Sequence, residues 1–391
     1  MSSLCRKLVI FALCLIVLSC PQTRTELSLE ERITNCIVSY KKKWNYTPAI
    51  SVSVYGQEGK IKYDYATGYS SLNDKTINTI YTPHFVYSIT KSFVATSIVK
   101  LANENKLSLS DSISNHLSEL DLNKKYINLD ASIEELLTHR SGINDYTESS
   151  SIIYANPFSK TDEWNAKTIL SLIETPASNR GEFIYSSANY IILGLIVEKV
   201  SGISLNNYLR ENFTDNLNID AKLYPQDSAS LQSLAHPHSY PNTFIGLVGD
   251  GNTPIDIVSV IPNVLELIGK CSWAAGGIIA TAKDIVNWGY NLLSSNGAID
   301  TTIKNKIVGS VSNFTDSSLV STAYGYDIRK LFNGDDELLG SYGRSIGDEN
   351  LMFYNERHDI CVVIFSSSNM RQDKTPNIDE LMYEIFNCFK N

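Results

Sequence analysis

Apolar and polar side chains alternate with regular periods near both ends of the chain. Apolar residues Leu29, Ile33 and Ile37 have the spacing of one helix face, which predicts a helix over 27–42. Alternation predicts a strand at 50–55, a second strand is predicted at 60–66 after a short turn, and the segments 351–354 and 360–366 are also strand-like. A last amphipathic pattern predicts a helix over 378–389. Strands from both ends of the sequence are therefore expected to meet in one sheet.

A helix is also predicted directly after Ser88. Apolar residues at Val94, Ile98 and Leu101 recur at helical spacing, and the charged stretch 103–106 ends the pattern. Ser88 would then stand at the start of this helix.

The middle of the chain has the pattern of helices and loops. Residues 107–235 contain no obvious strand pair. Helices are predicted at 133–137, at 190–200 before Gly202, and at 282–293. The pattern thus predicts an α/β part, made of 27–87 and 270–391, and a mainly helical part, 88–269.

The first twenty residues have the pattern of a secretory signal peptide. Arg6 and Lys7 precede an apolar run, 8–18, that is too short to span a bilayer. Residues 17–20 resemble a bacterial lipoprotein cleavage box, in which Cys20 would be a lipid anchor, and a plain secretory signal is the alternative. Both interpretations predict an exported protein, periplasmic or extracellular.

Charge and residue clusters exclude several classes of function. The formal net charge is −9, so a basic nucleic-acid surface is not expected. His236 and His238 stand close together, but no Cys, Asp or Glu cluster completes a metal-ligand pattern near them. The sequence therefore predicts no metal, no cofactor and no nucleic-acid partner.

One serine combines a helix start with a lysine one turn away. Ser88 and Lys91 form S-x-x-K, a spacing that places the amine beside the hydroxyl on one helix face. A serine hydroxyl becomes a useful nucleophile only when a base takes its proton, and a desolvated lysine can be that base. Ser39 and Ser97 fit the same pattern. However, Ser39 belongs to a lysine-rich surface helix and Ser97 lies within a helix, where its hydroxyl can bond back to a carbonyl.

Several longer runs together carry a family resemblance. In their order and spacing they resemble the class C β-lactamases, the D-alanyl-D-alanine carboxypeptidases and the penicillin-binding proteins. The resemblance covers almost the whole chain after the leader and implies one domain, 27–391. The runs are Phe85-Val-Tyr-Ser-Ile-Thr-Lys-Ser-Phe, Leu107-Ser-Leu-Ser-Asp, Ile133-Glu-Glu-Leu-Leu-Thr-His-Arg-Ser-Gly-Ile, Gly181-Glu-Phe-Ile-Tyr-Ser-Ser-Ala-Asn-Tyr, Ala274-Ala-Gly-Gly and Tyr324-Gly-Tyr.

The resemblance implies an α+β, β-lactamase-like fold and assigns roles to residues. The fold would be an antiparallel sheet flanked by helices plus a helical domain, with the site between them. Ser88 would be the nucleophile, and Lys91 and Tyr185 would transfer protons. The backbone N–H of Ser88 and one from the strand near Gly343 and Arg344 would form the oxyanion hole.

Two family motifs are altered in this sequence. Where relatives have Tyr-x-Asn, this chain has Ser187, so recognition of a substrate amide would change. Asn189, one turn beyond Tyr185, would either compensate or be a solvated helix residue. Ser341 replaces the cation of the third motif, while Gly343 and Gly347 are kept.

The lost cation affects the expected substrate. Without it, a substrate carboxylate loses a charge-assisted hydrogen bond of about 1.5 to 3 kcal/mol. Arg344 would either replace it or point to solvent, and in the second case uncharged esters or amides become better candidates. Ser187, Ser341, Gly343 and Arg344 are the candidate substrate-binding residues.

The leading hypothesis is therefore a serine hydrolase that forms an acyl-enzyme on an amide or ester. The resemblance favours a D-alanyl-D-alanine carboxypeptidase or penicillin-binding-like enzyme, with a small molecule or a peptide such as a peptidoglycan stem peptide as substrate. A carboxylesterase or amidase of the same family is the alternative within this class. A catalytically weak binding protein on the same scaffold is the alternative from another class.

The resemblance also implies that the first and last helices pack side by side. Cys36 and Cys388 lie on those helices, so a disulfide between them is expected in an oxidising compartment. Cys271 and Cys361 are expected to stay reduced.

Overall fold

A computed structural model gives the fold of most of the chain. It describes residues 26–44, 47–119, 122, 125–148, 165–176, 179–224, 228–239, 253–261, 263–313, 323–345, 347–368 and 378–390. The predicted leader, 1–20, and with it Cys20, lies outside the described residues.

Thirteen α-helices run through the described residues, and several short 3₁₀ turns connect them. The helices are α1 Leu29–Lys43, α2 Thr90–Asn103, α3 Ile113–Leu117, α4 Ile133–Leu137, α5 Ala166–Ser171, α6 Ser187–Ser201, α7 Leu205–Leu209, α8 Asp215–Leu217, α9 Ile257–Val260, α10 Val264–Gly276, α11 Ala282–Leu293, α12 Thr301–Gly309 and α13 Asp379–Asn387.

Fourteen strands are found in the same residues. They are β1 Ala49–Gly56, β2 Ile61–Ser71, β3 Thr76–Ile77, β4 His84–Phe85, β5 Lys222–Leu223, β6 His238–Ser239, β7 Ile255–Asp256, β8 Ile278–Ala280, β9 Ser312–Asn313, β10 Ala323–Tyr324, β11 Arg329–Asn333, β12 Asp336–Ser345, β13 Asp348–Asn355 and β14 Ile360–Ser366.

The main sheet joins the two ends of the chain, as the pattern predicts. Its nine strands have the order β3-β2-β1-β14-β13-β12-β11-β10-β9 and pair antiparallel throughout. The two ends of the chain meet where β1 pairs with β14, and Val54 lies opposite Val362 there. The expected α+β fold, an antiparallel sheet with flanking helices and a helical part, is confirmed.

Each face of this sheet covers a separate apolar core. On one face, α1 and α13 pack together and bury Ile33, Ile37, Leu381 and Ile385 against the sheet. The opposite face packs against α11 and the helical middle of the chain, with α2 at its centre. Eleven of the fourteen residues of α2 are buried, so this helix is held rigidly between sheet and helices.

The sequence prediction fails at some element boundaries. The helix predicted after Ser88 begins at Thr90, because Ser88 lies in a 3₁₀ turn, Tyr87–Ile89. Within 107–235, where no strand pair was obvious, the two-residue strand β5 is found, and it pairs with β8 outside that segment in a small three-stranded sheet. Strands of two residues are too short to show a period in the sequence.

Cys36 on α1 and Cys388, the residue directly after α13, lie next to each other, as expected from the packing of the two helices. Their sulfur atoms are 3.7 Å apart, and both residues are free thiols in this structure, as are Cys271 and Cys361. The expected disulfide therefore stays a prediction.

Among the described residues, no single helix is both long and apolar enough to cross a bilayer. In the part of the chain that the structure describes, one bent pair, Ser187–Ser201 and Leu205–Leu217, meets the length and composition criterion, with an angle of 77° between its two parts.

Candidate active site

Ser88 lies at the entrance to α2, in which eleven of fourteen residues are buried. Its 3₁₀ turn runs directly into α2, and the Thr90 N–H donates to the carbonyls of Tyr87 and Ser88. Tyr87 has a φ of 48°, in the left-handed region that residues other than glycine seldom adopt. The backbone is therefore sharply bent immediately before the candidate nucleophile.

The structure brings the three expected catalytic residues together. Lys91 Nζ donates to Ser88 Oγ at 2.9 Å, and the Tyr185 hydroxyl lies 2.9 Å from the same oxygen. These contacts join α2 to the loop before α6, 97 positions further along the chain. A proton can therefore pass from Ser88 to either neighbour without rearrangement.

Lys91 is enclosed on all sides. Its side chain is 1% exposed, and Nζ also donates to the Ala275 carbonyl at 2.6 Å. The amine lies 5.3 Å from the ring centre of Tyr185 and 5.7 Å from that of Tyr190. A carbonyl and two aromatic faces thus replace water around this group.

Close packing of α6 on α10 places the Ala275 carbonyl there. A Cβ on Gly194 would lie 2.5 Å from the Ala274 Cβ, so the two helices can approach only because residue 194 is glycine. At Trp273 the backbone leaves the helical conformation, with φ 30° and ψ −119°. The turn that follows contains Ala275, whose carbonyl accepts from Lys91.

The edge of β12 faces the turn that holds Ser88. Strand β11 pairs with β12 only as far as Gly340, so residues 341–345 have β13 on one side and no β11 partner on the other. A Cβ on Gly343 would lie 2.0 Å from the Val86 carbonyl oxygen. This contact places the 341–345 edge beside Ser88, where the expected oxyanion hole requires it.

The altered second motif is packed against a carboxylate. The Ser187 N–H donates to Asp145 Oδ2 at 3.0 Å, at the start of α6. Asn189, for which a solvated position was one of the two alternatives, is instead fully buried, and its amide bonds to Ser141 and His139. The reason is that this part of α6 packs against the 138–142 turn.

A hydrogen-bonded chain runs behind the site to the third motif. His139 accepts the Ser186 N–H at Nδ1, so Nε2 carries the proton and donates to the Tyr324 hydroxyl at 3.0 Å. Tyr324 donates to one oxygen of Asp327, and Ser341 donates to the other at 2.8 Å. The His139 ring centre is 4.3 Å from that of Tyr185, so these hydrogen-bonded residues also pack against the candidate catalytic tyrosine.

Burial shifts the pKa values of the residues in this hydrogen-bonded series. It raises the pKa of Asp327 to about 7, although nearby Lys91, the Ser341 hydrogen bond and Arg329 oppose the rise. It lowers the pKa of His139 well below its usual value, and the positive charges of Lys91 and Arg329 act in the same direction. His139 is therefore a neutral structural residue with a φ of 55°.

Arg344 lies away from the hydrogen-bonded residues His139, Tyr324, Asp327 and Ser341. Its guanidinium pairs with Glu349 at 2.6 Å and stacks on the Tyr342 ring at 5.0 Å. Tyr342 belongs to the apolar core under α1 and α13, on the strand face opposite to Ser341 and Gly343. The structure thus places the Arg344 side chain away from Ser88 and leaves only its backbone on the site edge.

Sequence reasoning missed several residues around the site. Asp145, Asp327 and the Ala275 carbonyl were not singled out, although Asp327 follows the Tyr324-Gly-Tyr run directly. Their roles depend on contacts between segments far apart in the chain, which local patterns do not reveal. The His236-Pro-His238 segment bonds to Asp256 through His236 at 2.8 Å, and no group of three or more ligand-type side chains suited to a metal occurs in the described residues.

Comparisons with known proteins agree with this geometry. Protein flp of Staphylococcus aureus (strain NCTC 8325 / PS 47) is 27% identical over 221 residues, which are 56% of this chain and 41% of that protein. The chain thus spans less than half the length of this relative.

Two solved structures share the fold. The D-amino acid amidase from Ochrobactrum anthropi SV3 complexed with D-phenylalanine has a TM-score of 0.78 at 20% identity, and the match covers 93% of this chain and 99% of that one. A penicillin binding protein from Bacillus halodurans has a TM-score of 0.66 at 18% identity, with 90% and 99% covered. The Beta-lactamase family model matches residues 44–383, and the chain belongs to the Beta-lactamase family.

Proposed function

We propose that the protein hydrolyses an amide or ester through an acyl-enzyme on Ser88. The observation that carries the proposal is the pair of 2.9 Å contacts that Lys91 and Tyr185 make with one serine oxygen. Such a pair supplies both a base for the nucleophile and an acid for the leaving group.

The acylation step follows from this arrangement. Lys91 takes the proton of Ser88 as Oγ forms a bond to the substrate carbonyl carbon. The carbonyl oxygen becomes an anion that the N–H of Ser88 and an N–H at Gly343 or Arg344 would stabilise. Tyr185 donates a proton to the leaving nitrogen or oxygen as its bond to carbon breaks, and the proton on Lys91 replaces it. Water then attacks the ester and releases Ser88 by the reverse sequence.

The third motif favours uncharged amides or esters over substrates with a terminal carboxylate. Ser341 directs its proton to Asp327, so it offers a substrate lone pairs rather than a donor. Arg344, the expected substitute for the lost cation, pairs with Glu349 on the other strand face. We therefore place an amidase or esterase activity before D-alanyl-D-alanine carboxypeptidase activity.

The carboxypeptidase remains the second candidate. Arg329 lies near Asp327, and its guanidinium stacks on the rings of Tyr324 and Tyr342. This cation would be the residue available for a substrate carboxylate if the enzyme acts on peptidoglycan stem peptides.

Intact-mass measurement with two covalent probes tests these proposals. The purified protein is treated with a fluorophosphonate and, separately, with a fluorescent penicillin. Labelling of Ser88 by the first alone supports an amidase or esterase, and labelling by both supports a penicillin-binding enzyme. If neither probe labels the protein, acyl transfer is contradicted, and a binding protein on the same scaffold becomes the favoured function.

A further inference from the structure

Two side chains of β13 hold the segment that leads into Ser88. The Tyr87 hydroxyl donates to Asp348 Oδ2 at 2.5 Å, and the Asn350 amide donates to the Phe85 carbonyl at 2.8 Å. Asp348 and Asn350 are two residues apart on one strand, so they face the same side of the sheet. Asp348 is 4% exposed, Asn350 is fully buried and Tyr87 is 3% exposed, so water does not compete for these bonds.

The segment needs such an anchor because its backbone is strained. A tyrosine at φ 48° occupies a conformation that costs free energy and persists only where surrounding contacts enforce it. The conformation of Tyr87 fixes the plane of the peptide bond that it shares with Ser88. This peptide carries the Ser88 N–H, the first donor of the candidate oxyanion hole.

The protonation of Tyr87 and Asp348 favours a stable hydrogen bond between them. Burial raises the pKa of Tyr87 well above its usual value of 10, so the phenol keeps the proton that it donates. Burial also raises the pKa of Asp348, and the Tyr87 hydrogen bond opposes that rise. Asp348 makes none of the ion pairs found among the described residues, so this hydrogen bond is its principal contact with the site.

We propose that Asp348 is a positioning residue for acyl transfer, which holds Tyr87 in its left-handed conformation and thereby aims the Ser88 N–H and hydroxyl at the substrate carbonyl. The inference rests on the proposed acyl-enzyme at Ser88. It assigns a role in the reaction to a carboxyl group that does not touch the reacting atoms.

The rate of Ser88 phosphonylation by a fluorophosphonate tests this role. Asp348→Ala and Tyr87→Phe are each expected to lower the maximal rate at saturating probe by at least about tenfold. Asp348→Asn should restore most of the rate because its amide oxygen can still accept from Tyr87. The double variant Tyr87→Phe with Asp348→Ala should lose no more than Tyr87→Phe alone, because Tyr87→Phe already removes the bond to Asp348 together with the Tyr87 interaction with Ser345.

A matched control separates positioning from a general loss of packing. Tyr354 lies on the same strand, is equally buried and donates its hydroxyl to Asp359 at 3.0 Å. Tyr354→Phe removes a similar bond far from Ser88 and should keep the wild-type rate, with thermal unfolding recorded for every variant.

The outcomes are distinct. If Asp348→Ala does not fold, Tyr87→Phe and Asp348→Asn decide the question. A wild-type rate in Tyr87→Phe, or an equal loss in Tyr354→Phe, overturns the inference alone. No phosphonylation of Ser88 in the wild-type protein overturns the proposed function and this inference together.

Discussion

At the scale of single residues, the surroundings of each serine distinguish three sites that have the same local sequence. Ser97 donates its hydroxyl to the Phe93 carbonyl at 2.8 Å, inside α2, and Ser39 lies exposed on α1. Only Ser88 has a lysine amine and a tyrosine hydroxyl within hydrogen-bond distance. The S-x-x-K spacing supplies the lysine, but the tyrosine comes from a distant segment.

Removing either proton-transfer partner is expected to slow acylation strongly. Lys91→Ala and Tyr185→Phe should each reduce the rate of Ser88 labelling by at least about 10², the usual contribution of a positioned acid or base. Time-resolved intact-mass measurement gives these rates. Ser97→Ala serves as the control and should label at the wild-type rate, whereas Ser88→Ala should not label. A near wild-type rate in Tyr185→Phe would make Tyr185 a packing residue.

At the scale of helices and strands, strong local signals predicted elements well. Helix α11 matches its predicted bounds, because Thr281 caps it through Asp284 and its apolar face is regular. Strand β14 also matches, since seven consecutive buried residues give a clear apolar run. In contrast, α6 begins three residues before the predicted start, because its first turn consists of site residues rather than apolar ones.

The site was predictable only for residues that lie in the sequence segments with the family resemblance. Ser88, Lys91 and Tyr185 follow from those runs, and the structure brings them together. The contact between Asp348 and Tyr87 could not be predicted, because it joins segments more than 100 residues apart. The contact between Asp327 and Ser341 depends on which strand face Ser341 occupies. The register of β12 decides that Ser341 faces the site and Arg344 does not, and the sequence contains no local signal for that register.

The contact between β12 and the Ser88 turn predicts a severe effect of one added methyl group. Gly343→Ala would place a Cβ 2.0 Å from the Val86 carbonyl oxygen, so the strand and the turn must separate. We expect at least about a tenfold loss of Ser88 labelling, because one oxyanion donor would move away. Labelling rate and thermal unfolding are measured together.

A second glycine provides the control for this substitution. Gly309 ends α12 with no atom within 4 Å of the added Cβ, so Gly309→Ala should leave labelling unchanged. It should also stabilise the protein slightly, by up to about 1 kcal/mol, because alanine is the better helix former. Equal labelling rates in both variants would show that the β12 contact does not position the site.

At the scale of the whole molecule, His238 joins three distant parts of the chain. Its Nδ1 donates to the Ser367 carbonyl at 3.1 Å, and its Nε2 accepts the Leu72 N–H at 3.3 Å. The Leu72 bond requires the neutral ring, because a protonated Nε2 has no lone pair with which to accept. Burial lowers the pKa of His238 to about 4, although Asp256 opposes this change.

Stability should therefore fall on mild acidification. The unfolded histidine has a pKa of about 6.5, so between pH 6.5 and 4 the unfolded state binds the extra proton and the free energy of unfolding decreases as pH falls. The largest loss from this residue is about 3 kcal/mol, reached below pH 4. Urea unfolding at several pH values gives the free energy of unfolding as a function of pH. This free energy should change less steeply with pH in His238→Asn than in the wild type. An unchanged slope would assign the acid sensitivity to other groups.

The two ends of the chain can be tied together through Cys36 and Cys388, whose sulfur atoms lie 3.7 Å apart on packed helices. The Cys36 hydrogen bond lowers the pKa of Cys388 to about 7, and the same contact raises that of Cys36. We therefore expect Cys388 to be the thiol that reacts first with an oxidant. A bond between residues 352 positions apart should stabilise the fold, and chain-entropy models give an upper figure of roughly 6 kcal/mol. We predict that mild oxidation forms this disulfide and raises the unfolding temperature, with Cys36→Ser showing no such rise. Non-reducing peptide mapping checks the bond: recovery of both peptides alkylated without reductant after oxidation would contradict it.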